Sequence, residues 1–212
     1  MSRRTMEREA RRQYVIDAAR GLLAVQGIEN TSMEGIAEAV EYTRRTLYEY
    51  FKSRDEILLS VLIADMTARW AEQQEALARA GTGLEKILAW GESFYAFAVR
   101  NPHSMRLHFY WDFRGLDREK IDEEHFRAFE RINDELAEGL RSIFRLGVRD
   151  GSVRRGLKID MCISQFLYTL RAVVHRALSE TYSFASFDAD TYVRQYLDLF
   201  RRAISSKQGE DL

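Results

Sequence analysis

Only one proline interrupts this chain of 212 residues, and its twelve glycines are widely spread. Proline and glycine are the residues that most often end a helix, so their scarcity favours long helices. Turn sequences typical of β-hairpins are nearly absent, since no Asn-Gly or Asp-Gly pair stands between alternating apolar runs. The sequence therefore predicts an all-α fold.

Apolar residues recur every three or four positions along most of the chain, which is the period of an amphipathic helix. Gly27 is expected to end the first helix, and Asp160 and Asp188 are expected to cap the last two. The expected helices cover about 7–26, 33–40, 44–51, 54–79, 84–100, 102–111, 118–149, 160–182 and 188–206.

Several functional classes are disfavoured. The single cysteine, Cys162, excludes an internal disulfide and a cysteine metal cluster, and the four histidines lack the spacing of paired ligands. Nucleophile-elbow and dinucleotide-binding motifs are absent, so we expect no enzyme, catalytic residue, metal site or cofactor. Without a signal peptide or an apolar run of eighteen residues, we expect a soluble cytoplasmic protein that does not bind membranes.

Charge is distributed unevenly along the chain. The net charge is −1, but the first twenty residues contain six arginines and three acids, a local charge of +3. A basic segment at one end of a nearly neutral protein suits an anionic partner bound at that end. The alternative is a solvated, charged helix face without a partner.

Two short helices are predicted on either side of a brief turn, each beginning at a hydroxyl residue. Thr31 is expected to cap the first, with Glu34 reaching back, and Thr43 to cap the second. Such a pair predicts a helix-turn-helix over residues 33–51, whose second helix enters the DNA major groove. The alternative is a three-helix cap with no DNA role.

The first turn of that second helix carries side chains suited to DNA. Arg44 and Arg45 can each form two hydrogen bonds with guanine, and Thr46 can contact a phosphate or a thymine methyl group. The hydroxyls of Tyr48 and Tyr50, further along, suit contacts with phosphates. These residues predict sequence-specific binding to double-stranded DNA.

The segment from about residue 10 to residue 60 resembles the N-terminal domain of TetR-family regulators. The residues that carry the resemblance are Ala18-Ala19, Leu22-Leu23, Gly27, Thr31-Ser32-Met33, Ile36-Ala37 and the unbroken run from Thr43 to Ile57. Two positions depart from the family pattern. Glu41 stands where a turn glycine is usual, so we expect strain from a positive φ there. Arg45 stands where a small residue is common, so we expect an atypical operator.

The resemblance implies an all-helical homodimer, usually a repressor, that a small molecule releases from DNA. It divides the chain into a DNA-binding domain at 1–54 and a ligand-binding and dimerisation domain at 55–212. By position, it implies DNA contacts for Thr31, Thr43, Arg44, Arg45, Tyr48, Tyr50 and Arg54. Arg54 stands where the family usually has a lysine that contacts phosphate.

Aromatic residues are frequent in the C-terminal part of the chain. Together with the resemblance, they predict a pocket for a small apolar or aromatic ligand, with Arg171 or His175 as the polar anchor. The alternative is an ordinary hydrophobic core. The aromatic residues expected in this pocket are Trp90, Phe94, Phe109, Phe129 and Tyr168.

The predicted helix 160–182 is apolar on more than one face, and the last predicted helix, 188–206, adds further apolar residues. We expect them to pair with the same helices of a second copy, and the alternative is burial within one chain. A two-fold dimer implies a near-palindromic operator.

The sequence thus predicts a TetR-like regulator. Two alternatives stay open: a DNA-binding regulator without a small ligand, and a helical enzyme or binding protein of another class.

Overall fold

The structure, a computed structural model, describes residues 2–179 and 188–206. Within these ranges every regular element is a helix, which confirms the all-α prediction. None of the described helices has both the length and the apolar content needed to cross a membrane. The helices are α1 (Arg3–Asn30), α2 (Met33–Ala39), α3 (Arg44–Tyr48), α4 (Arg54–Arg79), α5 (Gly83–Arg100), α6 (Pro102–Arg114), a 3-10 turn (Arg118–Lys120), α7 (Glu123–Asp150), α8 (Ile159–Leu178) and α9 (Ala189–Ile204).

Most helices lie within a few residues of their predicted positions, and the differences arise at helix ends. The first helix begins earlier than expected because Ser2 caps it, accepting the backbone N–H of Thr5 at 3.2 Å. Gly27, with φ 78° and ψ 176°, interrupts it as expected, but one more turn follows to Asn30. The expected glycine break is therefore present inside a longer element.

Of the two caps predicted for the last two helices, one is confirmed and one is wrong. Asp188 caps α9 by accepting the backbone N–H of Thr191 at 2.8 Å, as predicted. Asp160 does not cap α8, because it lies inside the first turn and pairs with Arg141. Residues 180–182 of the predicted helix 160–182 lie outside the described residues.

The chain divides into two compact units. One comprises the described residues of Met1–Thr67 and Asn101–Ile132, and the other those of Ala68–Arg100 and Asn133–Leu212. The unit that contains the helix-turn-helix therefore also includes α6 and the start of α7. A functional boundary at residue 54 stays a prediction.

In the first unit, α1 packs against α2 and α6, and α2 packs against α3. Apolar burial supplies most of its stability, and its fully buried side chains include Val15, Ala19, Ile36, Leu47, Ile57, Leu58 and Leu107. A buried ion cluster joins three helices: Asp65 of α4 lies 2.9 Å from Arg20 of α1 and 3.1 Å from His103 of α6.

In the second unit, α8 and α9 pack against each other and against α5. The buried rings of Trp90 and Phe166 lie 5.7 Å apart between their centroids. The start of α5 approaches α7 so closely that a Cβ on Gly83 would lie 2.1 Å from the backbone nitrogen of Gly147. Any larger residue at position 83 would force these two backbones apart.

Candidate nucleic-acid interface

The turn between α2 and α3 contains Glu41, whose φ of 56° lies in the left-handed region. Among the described residues it is the one non-glycine residue with a positive φ. The backbone N–H of Tyr42 bonds to the carbonyl of Ala37 at 2.9 Å, which closes the turn tightly after α2. The predicted positive φ is therefore present, and this conformation is strained for any residue with a Cβ.

The two caps of the helix-turn-helix were predicted with different success. Thr43 caps α3 as expected, accepting the backbone N–H of Thr46 at 3.1 Å. The cap of α2 is Ser32, which accepts the N–H of Gly35 at 3.0 Å, so the capping role predicted for Thr31 is wrong. Both short helices nevertheless begin at a hydroxyl residue.

Exposed side chains surround the start of α3. Thr43, Arg44, Arg45 and Tyr48 are exposed and Thr46 is half-buried. Leu47 and Phe51 point into the core, so α3 has one buried face and one free face. The free face carries the residues that the sequence assigns to base contacts.

Arg44 is already engaged in the protein. Its Nη1 lies 2.6 Å from the Glu34 carboxylate of α2, and its guanidinium lies 6.0 Å from the Tyr48 ring centroid. A hydrogen bond with Tyr48, and then the charge of Glu34, raise the pKa of Arg44. The side chain of Arg45, the next residue of the same turn, is exposed.

Tyr50 lies at the far end of the helix-turn-helix, in a group that the sequence analysis missed. Its hydroxyl accepts a hydrogen bond from Arg11 at 3.2 Å, and its ring stacks on Tyr42 at 6.4 Å. Tyr14 meets Tyr42 edge-on at 6.5 Å. The sequence offered one signal for each missed residue. Arg11 lies in the basic N-terminal segment, and Tyr42 directly precedes the cap residue Thr43.

Thr31 is buried with 0% exposure, and its hydroxyl donates to the carbonyl of Gly27 at 2.8 Å. A DNA contact would require breaking this bond and exposing the residue, so we correct its predicted role to a structural one.

Arg54 donates to the carbonyls of Thr31 and Ile28 and therefore satisfies the end of α1. Its phosphate contact stays a prediction for a side chain that is about three-quarters covered.

The predicted ligand residues of the second unit do not form one group. Trp90 and Phe94 are buried and stack with centroids 5.7 Å apart. Tyr168 is 61% exposed and lies beneath the guanidinium of Arg171 at 4.5 Å, apart from the buried rings, so its role in ligand binding stays a prediction. His175 is half-buried, and burial lowers its pKa.

The other two predicted ligand residues, Phe109 and Phe129, belong to the first unit and are half-buried. Phe109 stacks on the exposed Phe113 with centroids 6.2 Å apart. Their predicted role in ligand binding stays a prediction.

Two buried polar residues of α4 were missed. Gln73 donates to the carbonyl of Trp90 at 3.3 Å, and the guanidinium of Arg69 lies 4.7 Å from the Phe94 centroid. Both lie on the same face of α4 as the buried residues Met66 and Leu77. A polar residue on an apolar helix face was the sign in the sequence that these positions are unusual. Within residues 2–179 and 188–206, no cluster of three or more His, Cys, Asp or Glu could hold a metal ion.

Comparisons with known proteins agree with this geometry. A family model described as "Bacterial regulatory proteins, tetR family" matches residues 15–61, which include α2, the turn and α3. The chain is 23% identical over 202 residues to the HTH-type transcriptional repressor KstR2 of Rhodococcus jostii (strain RHA1), covering 95% of each protein. It is 26% identical over 184 residues to the HTH-type transcriptional regulator SrpR of Pseudomonas putida, covering 84% of this chain and 80% of that protein.

Among solved structures, the ketosteroid transcriptional regulator KstR2 of Mycobacterium tuberculosis has a similar fold. The TM-score is 0.67 at 16% sequence identity, and the alignment covers 93% of this chain and 96% of that chain. The similarity therefore extends well beyond the helix-turn-helix to nearly the whole chain.

The strain at Glu41 gives a stability test. We expect Glu41→Gly to raise the free energy of unfolding by roughly 0.5–1 kcal/mol, because relief of the left-handed conformation exceeds the added chain entropy of glycine. Urea unfolding followed by circular dichroism measures this change.

A matched control is Glu38→Gly, an exposed glutamate three residues earlier in α2. There the φ is helical, so glycine should lower the free energy of unfolding by about 1 kcal/mol. Equal destabilisation by both substitutions would contradict a strained Glu41.

Proposed function

We propose that this chain, which belongs to the TetR family of transcriptional regulators, binds operator DNA through α3 and represses transcription until a small ligand releases it. One observation carries the proposal: the free face of α3 presents Arg44, Arg45 and Tyr48 while its opposite face is fixed in the core. A protein that acts on chromosomal DNA would work in the cytoplasm.

The chemistry of that face suits reading of the major groove. An arginine fork matches the two acceptors of guanine, and each such contact contributes about 1–3 kcal/mol of discrimination. Arg45 is available for this contact, whereas Arg44 must exchange Glu34 for a base or a phosphate. The exchange costs little, because a surface ion pair contributes only about 0–1 kcal/mol.

The DNA proposal predicts a specific loss in the Arg44→Ala/Arg45→Ala variant. The unaltered protein first selects a preferred duplex from random DNA, and a scrambled duplex serves as the reference. In the double variant, the ratio of affinity for the selected duplex to affinity for the scrambled duplex should fall by about tenfold or more. Titration by fluorescence anisotropy at several salt concentrations measures both affinities, and affinity should fall steeply with salt.

The matched control is Arg127→Ala, which removes an exposed arginine from α7. It should leave the preference for the selected duplex unchanged. Unaltered sequence preference in the double variant would show that α3 is not the reading helix.

We further propose that the ligand is a small apolar or aromatic molecule held in the second unit. The buried rings of Trp90 and Phe94 support this, and so does the similarity in fold to KstR2 of Mycobacterium tuberculosis, a ketosteroid transcriptional regulator. Two buried atoms, Gln73 Oε1 and Trp90 Nε1, have no hydrogen-bond partner. They would bond a polar group on an otherwise apolar ligand. Arg171 and His175 remain alternative anchors.

This proposal predicts a thermal shift when the protein is mixed with some members of a panel of steroids, fatty acids and aromatic acids. The Gln73→Leu variant, which conserves volume, should lose the preference for panel members that carry a hydroxyl or carboxyl group. Tyr168→Ala, at an exposed position, should respond as the unaltered protein does. No shift with any compound would overturn the apolar-ligand proposal.

We also propose that the homodimer forms through the helices predicted at 160–182 and 188–206. Within the chain, α8 and α9 already bury Phe166 and Leu197, so part of their apolar surface is satisfied internally. Met161 and Leu199 remain more than half exposed, and an open groove of about 390 Å³ lies between the two helices. A second copy packed there gives two-fold symmetry, and hence a near-palindromic operator with half-sites about one helical turn apart.

The dimer proposal predicts that Met161→Glu/Leu199→Glu shifts the protein from dimer to monomer at micromolar concentration. Buried charges in an interface oppose association strongly. Sedimentation velocity measures the state. Val25→Glu, at a position on α1 that is 90% exposed, is the control and should remain dimeric. An unaltered protein that sediments as a monomer would contradict the proposal.

A further inference from the structure

The C-terminal end of α3 is held by two arginines of α1. Arg8 donates to the carbonyl of Glu49 at 3.2 Å, and Arg12 donates to the carbonyl of Tyr50. The guanidinium of Arg12 also covers the Phe51 ring, 4.1 Å from its centroid. Glu49 and Tyr50 directly follow α3, so these donors hold the chain where it leaves the helix.

Arg12 is itself held in a buried cluster with Glu56 and His125. Its Nη2 lies 3.7 Å from Glu56 Oε1, and the two side chains are 10% and 2% exposed. The same Nη2 hydrogen-bonds to Nε2 of His125. Nδ1 of His125 lies 3.1 Å from Glu56 Oε1. Glu56 of α4 and His125 of α7 therefore flank the guanidinium that Arg12 contributes from α1.

The second oxygen of Glu56 is fixed by the backbone. Glu56 Oε2 accepts the N–H of Lys52 at 3.0 Å and that of Asp122 at 3.3 Å. These bonds hold the carboxylate in place on both sides of the cluster: Lys52 follows α3, and Asp122 precedes α7. The carboxylate cannot turn away without breaking both of these bonds.

Geometry determines which nitrogen of His125 carries the proton. Arginine can only donate, so Nε2 must accept, and the proton of the neutral ring is on Nδ1, facing Glu56. Burial, and then the charge of Arg12, lower the pKa of His125, against the opposite effects of Glu56, Asp122 and Glu124. The neutral ring leaves the cluster with one positive and one negative charge.

Solvent can reach this cluster through an open groove of about 550 Å³. Its other charged lining residues include Arg8 and Glu9 from α1, Lys52 after α3, and Arg131 from α7. Protonation of His125 would place a second donor against Nη2 of Arg12 and remove the bond between them. Arg12 would then lose one of the contacts that hold it against α3.

We infer that Arg12, Glu56 and His125 form a clamp that positions α3 for DNA, and that the clamp is closed only while His125 is neutral. This inference rests on the proposed DNA-binding function. None of the three side chains needs to touch DNA, so they are positioning residues.

The chain contains a matched control. Arg20, Asp65 and His103 form a second arginine–carboxylate–histidine cluster between α1, α4 and α6. Its residues lie in the same unit, with Asp65 and His103 buried and Arg20 half-buried, and all three belong to helices other than α3. Substitutions there test burial and fold stability without altering the end of the reading helix.

The first experiment measures binding to the selected and scrambled duplexes between about pH 5 and pH 8. In the unaltered protein, preference for the selected duplex should fall by about tenfold as the pH drops below the usual histidine range. Because the pKa of His125 is lowered, the loss occurs on the acid side of that range. His125→Gln accepts from Arg12 but does not titrate, so its preference should not change with pH.

His103→Gln should retain the pH dependence of the unaltered protein, because the second cluster does not reach α3. If His125→Gln loses its preference for the selected duplex at acid pH as the unaltered protein does, this result overturns the inference. Loss of the pH dependence in His103→Gln would do so as well.

The second experiment compares Arg12→Lys with Arg20→Lys. Lysine keeps the charge but cannot span both the Tyr50 carbonyl and His125. Arg12→Lys should therefore lose about tenfold of its sequence preference, while affinity for the scrambled duplex stays unchanged. Arg20→Lys should keep the preference, and thermal melting reports whether each variant is folded.

Full sequence preference in a folded Arg12→Lys protein would overturn the clamp. If the unaltered protein has no preference for any duplex, the proposed function fails. If it binds specifically but the two arginine variants behave alike, only the clamp fails.

Discussion

A helix of five residues is not stable in water by itself, so α3 depends on the contacts at its two ends and along one face. Thr43 satisfies the first turn, and Leu47 fixes the middle in the core. Arg8 and Arg12 bond the carbonyls that follow the helix. The orientation of Arg44 and Arg45 therefore depends on side chains that do not contact DNA.

Burial of Arg12 and Glu56 is tolerable only because each is satisfied several times. Removing one partner of such a pair typically costs about 3–5 kcal/mol, since the other charge is left uncompensated. The arginines of the first helix consequently have two different roles. Arg12 is buried and structural, whereas Arg3 and Arg4 are exposed and add positive charge at the N-terminus. The charge count alone does not distinguish these roles.

Local features were predictable because they depend on residues close in sequence. The Thr43 cap and the break at Gly27 follow from short-range steric and hydrogen-bonding rules. The positive φ at Glu41 was expected from the family resemblance, because a glycine is usual at that position. The error at Thr31 arose because two adjacent hydroxyls can each cap a helix. Only packing decided that Ser32 does so while Thr31 is buried.

Long-range contacts were not predictable from one sequence. Arg12 and His125 are far apart in the chain, and no periodicity indicates that they meet. Likewise, the pattern of α8 assigns Tyr168 an apolar character but not a direction, and its ring is exposed. The polar residues Arg69 and Gln73 were visible in the stripe of α4, but their contacts with Phe94 and Trp90 required the fold.

The most direct test is a crystal structure of the protein on a selected duplex. It should show the start of α3 in the major groove, Arg45 at base edges, and Arg12 still bonded to the Tyr50 carbonyl. Thr31 should remain buried, with no contact to DNA. The account would be contradicted by a complex in which α3 faces away from the DNA, or in which Arg12 leaves Tyr50 to bind phosphate. Either result would show that α1 does not position α3 for DNA binding.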